Sequence, residues 1–230
     1  MNPSFNHIMH QWIKGLHKVE RINLGRYGLT PITTLRGVAV DYDFLRACVR
    51  LWDPETHVFR FGTGWFELCP LFEEFCAIIG CDPNGPLVRN ELRVGNLHLF
   101  EGLFGFSSSR ARKMIVEGRV VLSSLIDSFF EADFDVPEQL LFRRRALVFC
   151  LLAGFLFNRD PGFGNLALCP LISQMESGHC IGGLVLAETF RSLDRAALGF
   201  EEWTVSHVIL QVSVIAFLFL IFLLFFFFFY

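Results

Sequence analysis

Apolar residues recur every three or four positions along most of the chain, and short runs of turn residues separate these segments. Leu45, Cys48 and Trp52 would share one face of a helix, because residues three and four apart lie on the same side. Asp41 is a suitable N-cap for this helix, and the pair Asp53-Pro54 ends it. The same periodicity predicts further helices over residues 71–79, 120–134, 137–157 and 184–198.

One segment departs from the helical period. Val58, Phe59 and Phe61 favour an extended strand. Gly62-Thr63-Gly64 then provides turn chemistry, and the apolar residues that follow allow a returning strand. We therefore predict one small β-hairpin at about residues 57–68. Together with the helices around it, this pattern is typical of a mainly α-helical domain of irregular architecture.

The pattern divides the chain into three parts. Residues 1–34 form a lead-in segment that contains a weakly amphipathic stretch and a glycine-containing loop. Residues 35–203 carry most of the periodic apolar segments and constitute the predicted domain. Residues 208–230 form a hydrophobic segment of a different character.

This last segment has the composition of a membrane span. From Val212 to Phe229 the chain is apolar except for Ser213, and no charged residue follows Glu202. A helix of about 20 apolar residues crosses the hydrocarbon core of a bilayer. We therefore predict a transmembrane helix over 208–230 that anchors the protein in a membrane. The N-terminal part is expected in the cytosol, because no signal peptide is recognisable.

The tail also allows a different origin. Every residue from Val214 to Phe229 except Ala216 is Val, Ile, Leu or Phe, and all codons for these residues carry T at the second position. Translation of an unspliced pyrimidine tract would give such a stretch. On this hypothesis the tail is a gene-model artefact, and the protein is expected in the nucleus.

Composition narrows the class of protein. The chain has 230 residues, of which 53% are hydrophobic and 28 are Phe, and this excludes a disordered or collagen-like chain. The net charge of −3 gives no overall basic field for nucleic acid. The seven cysteines include no CxxC pair, and His7 and His10 form a lone pair near the terminus. We therefore predict neither a disulfide framework nor a metal site.

Two blocks of sequence carry a family resemblance. Leu45–Gly80 reads LRACVRLWDPETHVFRFGTGWFELCPLFEEFCAIIG, in which Pro54–Phe59 is a Pro-Glu-Thr-His-x-Phe motif. The second block contains Leu-Phe-Asn-Arg-Asp at Leu156–Asp160 and Leu-Ala-Glu-Thr-Phe-Arg-Ser-Leu-Asp at Leu186–Asp194. Both blocks resemble the plant mobile domain, also called the aminotransferase-like plant mobile domain, and its close plant relatives of unknown function.

The resemblance implies a mostly helical domain that occurs in plant transposable elements and in nuclear proteins linked to meristem maintenance and silencing. The family pattern continues beyond Trp203 with a further helix, so the domain is expected to be truncated. No catalytic residue is carried over, and the lysines at 14, 18 and 113 do not suit a pyridoxal enzyme. We expect a non-enzymatic, transposon-derived or interaction protein that has no cofactor and no small-molecule substrate.

Six basic residues are the candidate functional residues. A guanidinium group matches the geometry of a phosphate, so these side chains could contact nucleic acid as one patch. Structural pairing with nearby acidic residues is the alternative. The candidates are Arg110, Arg112, Lys113, Arg143, Arg144 and Arg145.

Acidic residues provide a further hypothesis. Carboxylates from separate elements could bind a divalent metal in a transposase-like or nuclease-like remnant, whereas solvated surface carboxylates are the alternative. The residues concerned are Asp41, Asp43, Asp127, Glu131, Asp133 and Asp135. Three functions therefore stay open: an interaction module with a protein or nucleic-acid partner, a tail-anchored membrane protein, and a metal-dependent nuclease.

Overall fold

The computed structural model describes residues 5–62, 66–89, 97–131, 136–200 and 203–229, with side chains given as far as residue 219. Its helices are α1 Phe5–Lys14, α2 Lys18–Gly25, α3 Ile32–Leu35, α4 Tyr42–Leu51, α5 Phe72–Ile79, α6 Leu97–Phe104, α7 Ser108–Lys113, α8 Leu122–Asp127, α9 Pro137–Leu151, α10 Cys169–Glu176, α11 Gly182–Ala197 and α12 His207–Phe229. Its strands are β1 Trp52–Asp53, β2 Val58–Phe61, β3 Phe66–Leu68, β4 Ile115–Val116, β5 Arg119–Val121 and β6 Phe163–Asn165. A π-helical turn, Leu152–Leu156, follows α9, and a 3-10 turn, Leu166–Leu168, precedes α10. The chain is mainly helical, as the apolar periodicity predicts.

The centre of the core is α9. Pro137 occupies its first turn, where the missing N–H costs no hydrogen bond. From Ala146 to the π-helical turn the side chains are fully buried, and α9 packs against α2, α6, α8 and α10. The α1 helix contributes Met9 and Trp12 to the same core. Five phenylalanine rings pack against one another at α9. Phe149 belongs to α9 itself, and the other four rings are those of Phe100, Phe104, Phe106 and Phe129.

The predicted hairpin is present and forms part of a three-stranded sheet. In the order β1-β2-β3, all pairs are antiparallel, with Trp52 opposite Phe59 and Phe59 opposite Leu68. Most of its predicted turn, Thr63 and Gly64, lies outside the described residues. Phe59 is fully buried on the face that packs against α4.

A second sheet corrects the expectation of a single hairpin. It has the order β4-β5-β6, and Val120 of β5 lies opposite Gly164 of β6. The prediction of a helix from residue 120 to 134 is therefore wrong at its start, because the β-branched pair Val120-Val121 is extended. In the part of that segment that the structure describes, residues 120–131, the helix is α8, Leu122–Asp127.

The prediction of a transmembrane helix over 208–230 is wrong. In the described part of the chain, no helix combines the length and the apolar character that crossing a membrane requires. The first turns of α12 belong to the domain core instead, since Val208, Ile209, Leu210 and Val214 are all buried. These turns pack against α4 and α5. These four apolar residues, which the sequence pattern assigns to a membrane span, are thus covered by protein.

Polar residues at the start of α12 explain its place in the domain. The Gln211 Oε1 atom accepts a hydrogen bond of 2.7 Å from the Asp41 N–H, and Gln211 Nε2 donates to the Ala39 carbonyl at 3.0 Å. Gln211 is only 7% exposed. A buried amide needs such partners, and here they tie α12 to the N-cap of α4.

Candidate functional site

The two sequence blocks that carry the family resemblance meet in one contact. Trp52 Nε1 donates a hydrogen bond of 2.8 Å to Asp194 Oδ1. The ring of His57 lies 3.2 Å from Asp194 Oδ2 through Nε2. It also stacks on Trp52 and on Phe190, with ring centroids 5.9 and 5.4 Å apart. We call these four residues, Trp52, His57, Phe190 and Asp194, the block junction.

Local structure holds each partner of the block junction in place. Trp52 ends α4 and begins β1, so its indole is fixed by both elements. His57 has a φ of 56°, a left-handed conformation that non-glycine residues adopt in tight turns. Its N–H donates to the Asp53 carbonyl at 2.9 Å and closes that turn. Phe190 and Asp194 lie one turn apart on α11, so both face the sheet.

The block junction has the character of a structural contact. Trp52 is 5% exposed, and among the described residues no hydroxyl or thiol hydrogen-bonds to His57. A nucleophile within reach of the histidine is the sign of a Ser-His or Cys-His catalytic pair. Asp194 instead accepts from the indole and contacts the imidazole, which satisfies both polar rings at the edge of the core.

The predicted basic residues divide into an exposed group and an internal group. The exposed group is α7, where Arg110, Arg112 and Lys113 face solvent and form no ion pair with another described residue. The Arg110 guanidinium lies 4.8 Å above the Phe106 ring. Ser107 is the N-cap of α7 and accepts a hydrogen bond from the Arg110 N–H, as its position in the sequence predicts.

Arg143 and Arg145 bind groups inside the protein. Arg143 is 4% exposed, and its Nε donates to Glu20 Oε1 at 2.7 Å. Its Nη1 donates to the carbonyls of Phe129 and Phe130. Arg145 forms a two-bond pair with Glu176, at 3.0 and 2.9 Å.

Arg144 lies half-buried between Arg143 and Arg145 on α9. Both of its neighbours pair with acidic residues, as one of the two hypotheses predicts. Their partners, Glu20 and Glu176, are however distant in sequence rather than nearby.

The acidic residues do not converge where the structure describes them. Asp41 caps α4 by accepting from the N–H groups of Asp43 and Phe44, and Asp43 pairs with Arg46. Asp127 and Glu131 are exposed. Asp133 and Asp135 lie outside the described residues. Within the described ranges, no carboxylate belongs to a group of three potential metal ligands.

A groove of about 530 Å³ lies beside the second sequence block. Arg119 lies on its wall, pairing with Glu117 at 2.9 Å and with Asp160 at 3.4 Å. Arg191 pairs with Glu188 at 2.6 Å. Arg159 is exposed and forms no ion pair with another described residue. We call this the arginine groove, after Arg119, Arg159 and Arg191.

The arginine groove was missed in the sequence, although a signal was present. Arg159 belongs to the motif Leu156–Asp160, and Arg191 belongs to the motif Leu186–Asp194. Both motifs therefore contribute a cation to the same concave surface. Arg119 comes from β5, the strand that the periodicity assigns to a helix, so its neighbourhood could not be foreseen.

A second missed feature is a group of three thiols. The Sγ atoms of Cys76, Cys81 and Cys180 all lie within 4.8 Å of one another. Burial raises the pKa of the Cys81 thiol to about 12, and burial likewise raises that of Cys76. These two thiols are therefore protonated near neutral pH unless a cation is bound beside them, and neither is an activated nucleophile.

Comparison with known proteins gives one informative match. The chain is 28% identical over 181 residues to an Arabidopsis thaliana protein named serine/threonine-protein phosphatase 7 long form homolog. The alignment covers 76% of this chain but only 13% of the relative. No protein-family profile matches the sequence, and no solved structure matches it. The chain is thus similar to a short part of a much longer plant protein.

Proposed function

We propose that this chain is a non-enzymatic interaction module of the plant mobile domain type that acts in the nucleus. The observation that carries the proposal is the block junction. The motif residues Trp52, His57 and Asp194 bind each other and hold the hairpin on α11. Motif residues with an architectural role indicate a shared scaffold rather than a shared reaction.

The chemistry of the described residues supports the absence of catalysis. Burial raises the pKa of Cys48, Cys76, Cys81, Cys150 and Cys169. Asp41 caps α4, and Asp43 and Glu20 pair with arginines. The Arabidopsis relative is named a phosphatase homolog, but the similarity covers 13% of it, and we assign no phosphatase activity to this chain.

The arginine groove is the surface that we propose for recognition. Its open volume of about 530 Å³ suits a peptide side chain or a short loop of a partner. Arg159 offers a guanidinium that is not neutralised by a described neighbour. Phe157 and Phe163 contribute apolar side chains to the lining of the groove. An acidic or phosphorylated protein segment would satisfy both features.

The proposal is tested by proximity labelling in plant nuclei with the full chain and an Arg159→Glu variant. Arg46→Glu is the matched control, because Arg46 is exposed and its one ion pair within the described ranges is with its helix neighbour Asp43. We expect a defined set of neighbours that Arg159→Glu loses and Arg46→Glu retains. Identical neighbour sets for all three proteins would contradict the role of the groove. Turnover of a phosphomonoester by the purified chain would contradict the non-enzymatic assignment.

Nucleic-acid association is a second candidate, favoured by α7. This helix exposes Arg110, Arg112 and Lys113 and contains no acidic residue. Phosphate contacts of this kind make binding fall steeply with salt. The triple replacement of these three residues by Gln should abolish binding to DNA or RNA and its salt dependence. Binding that is insensitive to salt, or unchanged in the variant, would reject this candidate.

A further inference from the structure

We propose that Cys76, Cys81 and Cys180 form a binding site for a thiophilic divalent metal ion, and that this ion is Zn²⁺. The three Sγ atoms lie within 4.8 Å of one another, and they are the described residues that meet the distance requirement for a shared ion. Cys180 Sγ lies 3.0 Å from Cys81 Sγ and 3.5 Å from Cys76 Sγ.

These distances are close to those of a zinc thiolate centre. A zinc–sulfur bond of about 2.3 Å places tetrahedral sulfur ligands about 3.8 Å apart. The two shorter separations therefore need to open by less than about 1 Å around an ion. The spacing Cys76-x4-Cys81 also falls within the two to four intervening residues usual between paired zinc ligands.

The backbone fixes all three thiols before any ion binds. Cys76 lies in the last turns of α5, and Cys81 follows the helix end at Gly80, whose φ of 101° allows the chain to turn back. The Cys81 N–H donates to the Cys76 carbonyl at 3.0 Å. Cys180 is held by a short bridge, because its N–H donates to the Pro86 carbonyl at 2.7 Å. A pre-organised site loses little conformational entropy on binding.

Gly182 lies against the three thiols on one side, and the sulfur atoms occupy the space that a side chain at this position would fill. A Cβ atom at this residue would lie 2.6 Å from Cys76 Sγ, 3.2 Å from Cys81 Sγ and 3.3 Å from Cys180 Sγ. Only glycine therefore permits the three sulfurs to converge on this point. Gly182 also begins α11, and its N–H donates to Cys180 Sγ at 3.3 Å. The positive end of the helix favours thiolates.

Metal binding releases the protons of the three thiols. Each thiol releases its proton to solvent as its sulfur–zinc bond forms, so three protons leave for each Zn²⁺ bound. Three protein ligands leave one tetrahedral position for a water molecule or an exogenous thiol. Cys76 and Cys180 are buried, whereas Cys81 is partly exposed and gives the site its opening to solvent.

Metal analysis of the purified full chain tests the proposal. After gel filtration under reducing conditions we expect one equivalent of zinc per chain. Replacement of zinc by cobalt should give the intense near-ultraviolet charge-transfer band of cobalt thiolates. Cys81→Ser and Cys180→Ser should each weaken metal binding by more than tenfold. Cys169→Ser is the matched control, because Cys169 is buried but lies outside the group, and it should retain the metal.

Two outcomes would overturn the proposal. One is wild-type protein with reduced thiols that gives no cobalt thiolate band when the metal is added in excess. The other is a metal-free chain whose mass is lower by two hydrogens and whose peptide map joins Cys81 to Cys180 in a disulfide. Because both readouts use the wild-type chain, they remain decisive if a cysteine variant fails to fold.

Discussion

Asp194 on α11 accepts the indole N–H of Trp52 at 2.8 Å, and this bond joins two segments that are 142 residues apart. The same carboxylate lies 3.2 Å from the imidazole of His57. One acidic side chain therefore fixes the hairpin, the end of α4 and the last turn of α11 relative to each other. We expect this contact to contribute to the stability of the fold rather than to a reaction.

Removal of the carboxylate should destabilise the protein. Asp194→Ala leaves the buried Trp52 N–H without an acceptor, and an unsatisfied buried donor costs about 1–3 kcal/mol. Urea unfolding of the purified chain measures the loss. Asp43→Ala is the control, because Asp43 is exposed and its ion pair is with the equally exposed Arg46, and its effect should stay within about 0.5 kcal/mol. Equal effects of the two substitutions would argue against the block junction.

The buried Arg143 should be among the most sensitive charged positions. Arg143→Ala removes the partner of Glu20 and two carbonyl hydrogen bonds in a site that is 4% exposed. Breaking a buried ion pair from one side costs about 3–5 kcal/mol. Arg112→Ala, at an exposed position of α7, should be nearly neutral. If Arg143→Ala unfolds at the same urea concentration as the wild type, Arg143 is not a structural residue and returns to the list of ligand-binding candidates.

The stability of the chain should depend on pH through Glu176. Burial alone would raise the pKa of this carboxyl, but its hydrogen bonds with Arg145 and Tyr27 outweigh burial and hold the pKa below the ordinary value. A depressed pKa in the folded state adds stability above the ordinary pKa of 4.5. This contribution is lost as the pH falls through the folded-state value. Unfolding measured from neutral to acidic pH should show a shallower decline in Glu176→Gln than in the wild type, and parallel curves would contradict this role.

The start of α12 should behave as a core helix. Leu210 is fully buried, whereas Phe219 on the same helix is 62% exposed. Leu210→Ala should destabilise the domain by about 2–5 kcal/mol through the cavity that it leaves. Phe219→Ala should change the free energy of unfolding by less than about 0.5 kcal/mol. A larger effect of the exposed position would mean that α12 does not pack on α4 and α5 as described.

Neighbouring glycines offer a sharp test of the packing around the thiols. Gly182→Ala would place a Cβ 2.6 Å from Cys76 Sγ, whereas at Gly183 the nearest atom, of Leu87, is 3.6 Å away. Gly183→Ala should be neutral or stabilising by up to about 1 kcal/mol, because alanine restricts the unfolded chain. Gly182→Ala should be destabilising, and thermal unfolding distinguishes the two. If both variants melt together, the sulfurs do not converge on Gly182.

The periodicity of apolar residues and the positions of turn residues were enough to predict one helix with its N-cap and one hairpin. The α4 helix with its Asp41 cap and the β2–β3 hairpin follow from periodicity and turn residues. The β5 strand was missed because the apolar residues from Val120 onward also fit the helical period. Val120 is extended because it pairs with Ile115 of β4 and with Gly164 of β6. The start of the apolar tail was misread because lipid and the protein interior select the same side chains, and only their burial in the fold, as at Leu210, distinguishes the two.

The site residues were harder to predict for the same reason. The sequence leaves open whether Arg143 contacts a phosphate or pairs with a nearby acidic residue, and its partner Glu20 reaches it from a distant helix. Cys180 follows Cys81 by 99 positions, and no spacing rule connects ligands that far apart. The two blocks of sequence resemble a known family, but their meeting at Asp194 depends on how α11 packs against β1.

The central claim is that the two sequence blocks stabilise each other through Trp52 and Asp194. A double-mutant cycle with Trp52→Phe, Asp194→Ala and the combined variant measures their coupling directly from unfolding free energies. Contacting residues show coupling energies of about 0.5–3 kcal/mol, and we expect a value of at least about 1 kcal/mol here. Strictly additive effects of the two substitutions would contradict the account.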